Sequence, residues 1–382
     1  MRTTVLLTGA TGALGSVLLE RLTRKGYRVI CPVRTSPGQH PSERIRGYQR
    51  DQVIAIRGDI TASQCGVSES DIAQWKNEID SFIHNAASIS FTKPDETNRT
   101  NIGGVVNALE LAERLGIRQF RHISTAYIAG TADAFTEDDL LIGQQWRNGY
   151  EHTKYVGETM VQAWGLNHPD LRYEIYRPSI LIGEKDGTTR TWDAYFGYFK
   201  PIAQTARTLV SRTTGLPPGA GRTHDGSIGL PIALIASPAT TLNLVPISWA
   251  ADMIASRIGM EAANSRFHFV HSHPPRVQDV IRWSLEALGV SGVSVVGTEQ
   301  ERHSFIALQH PLIRKLQRQV DRILSQYAPY TTHEARFSSV VTSLKMGDDF
   351  RAPPAIDRDY LHRLMRYATD SDWGALKTVP AE

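Results

Sequence analysis

Three glycines at Gly9, Gly12 and Gly15 sit between a short apolar run, Thr4 to Thr8, and a helical pattern through Val17, Leu18 and Leu22. That placement constrains the chain more than any other feature. A strand that turns through glycine directly into a helix points the helix's first backbone amides, and the positive end of its dipole, at whatever lies above the strand end, which is how a pyrophosphate is held. The segment Thr8-Gly9-Ala10-Thr11-Gly12-Ala13-Leu14-Gly15 spaces its glycines G-x-x-G-x-x-G. Gly9 is expected to make the tight turn, Gly12 to let backbone approach phosphate, and Gly15 to let helix and strand pack closely. Thr11, Ala13 and Leu14 complete the candidate phosphate loop.

The alternation continues. Strands are expected at Arg28 to Val33, Gln52 to Arg57, Ser81 to Ala86, Phe120 to Ser124 and Tyr173 to Arg177, with helices near Ser70 to Asn77, Asn101 to Leu115 and Tyr150 to Gly165 between them. Strands alternating with helices predict an α/β fold, a Rossmann doubly wound parallel sheet. Beyond it, Phe267 to Val270, Val277 to Leu288 and Pro311 to Tyr327 predict a smaller mixed C-terminal substrate region. The expected division is 1–180 for dinucleotide binding and 181–382 for substrate, interleaved within 1–255. Residues 211 to 231, rich in Gly and Pro, read as a mobile surface loop.

About 20 residues past the glycine loop, a chain selecting NAD places an acid against the ribose hydroxyls. Here the position is Arg34, at the end of Cys31-Pro32-Val33-Arg34. A guanidinium forks onto phosphate oxygens, so the 2′-phosphate of NADP is the expected partner, with Arg44 and Arg46 as auxiliaries. Tyr150 and Lys154, four residues apart, share a helix face. A nearby ammonium favours phenolate, which would lower the tyrosine pKa and permit proton exchange with an alcohol or carbonyl near neutrality.

Forty-two basic residues against 39 acidic give a formal charge of +3, too near balance for a nucleic-acid surface. Cys31 and Cys65 make neither a disulfide framework nor a zinc site, and with no signal peptide or spanning run evident, a cytoplasmic protein without a membrane span is expected. His84, in a strand, reads as a satisfied structural histidine, and His271 and His273 as a turn. The aromatic stripe Trp192, Tyr195, Phe196, Tyr198 and Phe199 follows the last Rossmann strand, where it suits a core, a dimer surface or a pocket. In the Pro311 to Tyr327 helix, Leu312, Leu316, Val320, Ile323 and Tyr327 are expected to face the core, and Arg314, Lys315, Arg318 and Arg322 to form a basic outer face.

Taken with Gly58-Asp59-Ile60, Asn85-Ala86-Ala87, Ile123-Ser124-Thr125 and Tyr176-Arg177-Pro178-Ser179, the motifs resemble those of extended short-chain dehydrogenase/reductases from residue 3 to about 255. The runs Ile83 to Phe91 and His122 to Tyr127 are similar to those of fatty acyl-CoA reductases and the thioester reductase domains of peptide and polyketide synthases; residues 185 to 230 show no such likeness. The resemblance implies Thr125, Tyr150 and Lys154 as catalytic residues, with Ser124 the alternative to Thr125. It implies cofactor contacts at Asp59, Ile60, Asn85, Ala86, Ala87, Lys154 and Pro178. NADPH is the implied cofactor, and the implied substrate an acyl thioester on coenzyme A or an acyl or peptidyl carrier protein. Hydride addition then gives a hemithioacetal whose collapse expels the carrier thiol and leaves an aldehyde, and a second round gives an alcohol. No metal is implied, and the resemblance leaves room for a homodimer. Two other readings follow from the superfamily: a sugar-nucleotide epimerase or dehydratase that retains NAD, and a non-catalytic NADP-sensing module.

Overall fold

A computed structural model describes residues 2–48, 51–211 and 215–375. Seven strands, β1 (Thr4–Thr8), β2 (Arg28–Val33), β3 (Val53–Arg57), β4 (Ser81–His84), β5 (Gln119–Ile123), β6 (Arg172–Pro178) and β7 (Ser265–Phe269), form one sheet. Its order is β7-β6-β5-β4-β1-β2-β3, and each pairing is parallel. Both faces of such a sheet are covered, which is why its strands are apolar runs rather than alternating ones: β1 is buried at every residue. One face carries α1 (Ala13–Arg24) and the later helix α5 (Ile247–Arg257), joined by Arg21 and Asp252 at 2.7 Å. The other carries α2 (Glu69–Trp75), α3 (Gly104–Leu115) and α4 (Gly149–Asn167), around a core that includes Leu6, Ile30, Phe82, Phe120, Leu111 and Val161. Strand order reverses between β1 and β4, and ligands of doubly wound sheets bind outside the strand ends at that crevice.

The chain forms two compact units. The first comprises Met1–Ser179, Ile247–Ser272 and Ala335–Pro353; the second comprises Ile180–Pro246, His273–Glu334 and Pro354–Glu382. The first unit thus takes back two late segments. One supplies β7 and α5, and the other pairs Arg336–Phe337 with Ala134–Phe135.

Buried charge fixes helices to strands in the first unit. Arg177 on β6 meets Glu158 on α4 at 2.7 Å with both side chains fully buried. Glu174 takes Arg257 at 2.6 Å and Arg121 at 3.3 Å, again buried. Removing one partner of such a pair strands the other charge in the interior, which is strongly destabilising. Both cysteines are free and buried, and burial pushes the two thiols up, away from the reactive thiolate.

In the second unit, Tyr195, Phe196, Tyr198 and Phe199 lie on the Tyr195–Val210 helix and are buried in that unit's core, with Trp192 packed against it, so the aromatic stripe is core. Two expectations are corrected here. On the Pro311–Leu324 helix the buried residues are Ile313, Leu316, Gln317, Val320 and Leu324, whereas Leu312 is 40% and Ile323 44% exposed. The buried stripe is rotated from the one the leucines suggest because Gln317 goes inside, where its amide pairs with the backbone of Ala233 in both directions, at 2.8 and 2.9 Å. Within 211 to 231, residues 212–214 lie outside the described residues; the remainder forms short strands at Gly221–Arg222 and Ile228–Gly229, and Leu230 is fully buried. The pairing of Ile228–Gly229 with Val290–Ser291 supplies the order that local composition did not signal.

Candidate active site

The glycine loop turns as its spacing requires. Gly9 has φ +70°, a conformation that favours glycine, and a Cβ there would lie 2.8 Å from the backbone of Ala86. A Cβ on Gly15 would stand 2.0 Å from the Gly9 carbonyl oxygen. Gly12 is the N-cap of α1, and no side chain caps this helix. Asn85 donates its amide to the Gly9 carbonyl at 3.2 Å, so this residue supports the loop from β4. A helix start with uncapped amides, exposed at Thr11 and Gly12 at the strand-reversal point, fits a dinucleotide pyrophosphate. Arg34 is exposed just past the end of β2, and Asp59 and Ile60 are half-buried just past the end of β3.

The catalytic candidates gather past β5. Thr125 is buried; its hydroxyl donates to the Pro178 carbonyl at 3.4 Å and accepts from Tyr127 N at 3.3 Å. Tyr150 sits in the first turn of α4, where Asn148 accepts from Glu151 N at 3.0 Å as N-cap. Glu151 reaches back to accept from Arg147 N at 2.9 Å, closing the turn from the other side. The Thr125 hydroxyl also acts on the Tyr150 phenol, in the direction that favours its ionised form. Lys154, one turn on, is buried and donates from Nζ to the Ile123 carbonyl at 2.7 Å.

One expectation is reversed. Tyr150 is not lowered: burial pushes its phenol up to about 12, the Thr125 hydroxyl pulls it down, and the Glu151 carboxylate pushes it up. Burial holds Lys154 down to about 8, with Glu158 opposing, and its ammonium is committed to a carbonyl. Desolvation of the phenolate is the largest of these effects on Tyr150. The free protein keeps Tyr150 neutral, the state a proton donor needs.

A residue that sequence reasoning missed ties these parts together. Asn101, buried within a π-helical turn at Arg99–Gly103 just before α3, accepts from Ser88 N at 2.7 Å. Its amide donates to Ser88 O at 2.9 Å and to Thr153 Oγ1 at 3.0 Å. Thr153 in turn donates to the Tyr150 carbonyl at 2.8 Å. The loop after β4 is thereby fastened to the turn bearing Tyr150, and Phe91 at its far end lies 5.9 Å from the Tyr150 ring. A π-turn often marks a functional site, but one asparagine within an apolar helical pattern carries no periodic signal.

Residues 7–215 match the family model described as male sterility protein, an NAD-binding family. The chain belongs to this family. It is an extended short-chain dehydrogenase/reductase, an oxidoreductase using a nicotinamide cofactor. It is 31% identical over 232 residues to the L-2-aminoadipate reductase large subunit of Penicillium chrysogenum, covering 53% of this chain and 16% of that protein. A carboxylic acid reductase of Segniliparus rugosus is 24% identical over 280 residues, covering 63% of this chain and 23% of the relative. The chain thus spans less than a quarter of the length of either relative. Among solved structures, the terminal R domain of the myxalamid PKS-NRPS pathway superposes with a TM-score of 0.74 at 21% identity, covering 97% of this chain and 92% of that one. Among the described residues, no helix is long and apolar enough to cross a membrane.

Proposed function

We propose that the chain reduces an acyl thioester, carried on a carrier protein or coenzyme A, with NADPH, to an aldehyde or alcohol. The observation that carries this reading is the gathering of Thr125, a neutral Tyr150 and Lys154 at the end of β5, in the same sheet whose β1 leads into the uncapped start of α1, in a chain whose relatives include an aminoadipate reductase and a carboxylic acid reductase. The bound nicotinamide supplies hydride to the carbonyl carbon. Thr125 and Tyr150 hold the carbonyl oxygen, and Tyr150 gives up its phenolic proton as negative charge develops there. Lys154 holds the nicotinamide ribose, and Asp59, Ile60, Asn85, Ala86, Ala87 and Pro178 line the cofactor cleft. The test is NADPH oxidation by the purified protein against acyl-CoA, acyl-pantetheine, aldehydes and sugar nucleotides. Oxidation that depends on thioester is expected; tightly retained NAD with no thioester-dependent turnover would sink the reading.

Arg34 should set the choice of dinucleotide. A charge-assisted contact to phosphate contributes about 1.5–3 kcal/mol, so NADPH is expected to bind roughly tenfold or more tightly than NADH. Arg34→Ala should erase most of that gap. Equal dissociation constants in the unaltered protein would overturn the assignment.

The Pro311–Leu324 helix is proposed to receive the acidic carrier. It exposes Lys315, Arg318 and Arg322 beside the exposed Leu312 and Ile323, a surface suited to an acidic, partly apolar partner. Arg318→Glu with Arg322→Glu should raise the KM for a carrier-tethered thioester several-fold while leaving a short pantetheine thioester unchanged, and added salt should shrink the difference. Equal responses of the two substrates would remove the docking role.

A further inference from the structure

The chain leaving β3 adopts a conformation that needs a cause. Gln64 has φ 50° and ψ 35°, Cys65 φ 55° and ψ 25°, and Gly66 follows with φ 63°. Successive left-handed residues, two of them with a Cβ, form only where their surroundings impose them. The turn folds back so that Asp59 N donates to the Cys65 carbonyl at 2.6 Å, while the Cys65 side chain is fully buried in the core of the first unit.

A single face of α3 imposes it. Gly104, Asn107, Glu110 and Arg114 follow one another at helical spacing. Gly104 makes room for Ile60, whose Cδ1 would lie 3.0 Å from a Cβ at that position. Asn107 donates to the Ile60 carbonyl at 2.8 Å. The Glu110 carboxylate accepts from Ser63 Oγ at 3.1 Å, and from Gln64 N and Gln64 Nε2 at 3.4 Å each. Arg114 donates to Gln64 Oε1 at 2.7 Å and is anchored by Glu69. The gripped segment presents Asp59, which uses Oδ1 to accept from Thr61 N at 2.9 Å and Thr61 Oγ1 at 2.8 Å. Among the described residues its other carboxylate oxygen has no hydrogen-bond partner.

We propose that Glu110, with Asn107, is a positioning residue for the cofactor: through the left-handed turn it holds Asp59 and Ile60 at the place the adenine half of the dinucleotide occupies. This rests on the reading of Asp59 and Ile60 as adenine neighbours. Both side chains act through the segment they grip, at Ile60, Ser63 and Gln64, so their loss should lower affinity and spare chemistry.

The experiment compares the full chain with Glu110→Ala and Asn107→Ala. Dissociation constants are measured for NADPH and for adenosine 2′,5′-bisphosphate, the adenine half alone, together with kcat at saturating NADPH. Glu110→Ala removes hydrogen bonds to a charged group, so roughly tenfold weaker binding is expected, in equal measure for both ligands, with kcat retained. Asn107→Ala should give a smaller loss of the same pattern, and carries the test alone if Glu110→Ala does not fold. Glu110→Gln, which keeps an acceptor, should recover most of the affinity. Unchanged affinity in the alanine variants overturns the proposal. So does a loss confined to NADPH, or a fall in kcat matching the fall in affinity, because each places the effect outside the adenine half. If the unaltered protein binds neither ligand, the dinucleotide reading itself fails, which is a separate result.

Discussion

Tyr150→Phe is expected to lower kcat by about 10²–10⁴-fold, the usual contribution of a positioned general acid, while changing the dissociation constant of NADPH by less than about twofold, the scale of a lost surface contact rather than of a binding group. The substitution removes one oxygen and keeps the ring that lies 5.9 Å from Phe91, so the packing of the loop after β4 against α4 survives. The Asn148 and Glu151 bonds that shape the first turn of α4 do not involve the phenol. With the phenol pushed up to about 12, its proton is present throughout the physiological range, so the unaltered enzyme should show no loss of reduction rate from tyrosine ionisation below pH 10. Measuring kcat for thioester reduction alongside cofactor binding separates the roles. A near-normal rate in Tyr150→Phe would take tyrosine out of the mechanism.

Much of this site was legible because its parts are local. A glycine turn between strand and helix, a Tyr-x-x-x-Lys pair on one helix face and an arginine ending the second strand each lie within a few residues, and buried parallel strands announce themselves as apolar runs. What escaped depends on residues far apart in sequence. Asn101 reads as the start of a helix, and only folding brings it to Ser88 and Thr153. Arg121 and Arg177 interrupt apolar strands, and only folding brings them the carboxylates, Glu174 and Glu158, that make them buried braces. The raised phenol was misjudged for a similar reason: spacing shows that a lysine is near, but not how much water both groups have lost. The two late returns to the first unit, at 247–272 and 335–353, carry no marker in composition at all.

Acid should unfold the first unit steeply, because three of its buried histidines must stay neutral. His268 accepts from Arg177 Nη1 at 3.1 Å through Nε2, and because a guanidinium only donates, that nitrogen carries no proton; Nδ1 donates to Ser338 O at 2.7 Å. His84 Nδ1 lies 3.1 Å from Thr8 Oγ1, which already accepts from Asn85 N at 3.1 Å and Ala86 N at 3.3 Å and so gives its own proton to the ring. His122 stacks on His84 at 5.6 Å, and among the described residues neither of its ring nitrogens has a hydrogen-bond partner. Burial, then the Lys154 ammonium, takes His84 down to about 3; the same two causes hold His122 well below its usual value, and burial with Arg177 does so for His268. Each folded pKa lies below the unfolded value of about 6.5, so below that pH the unfolded chain binds more protons and stability falls as pH falls. For His84, held down to about 3, the loss between pH 6.5 and pH 5 is about 1.6 kcal/mol, and His122 and His268 act in the same direction. A native protein has only roughly 5–15 kcal/mol to lose. Urea unfolding followed at pH 7.5, 6.0 and 5.5 should therefore show free energy falling toward acid, with a slope steeper than the roughly 1.4 kcal/mol per pH unit that a single proton accounts for. His122→Phe keeps a ring against His84 and removes one titrating group, so its slope should be shallower. A free energy flat from pH 7.5 to 5.5 would mean that these histidines are charged in the fold, or reach water as easily folded as unfolded.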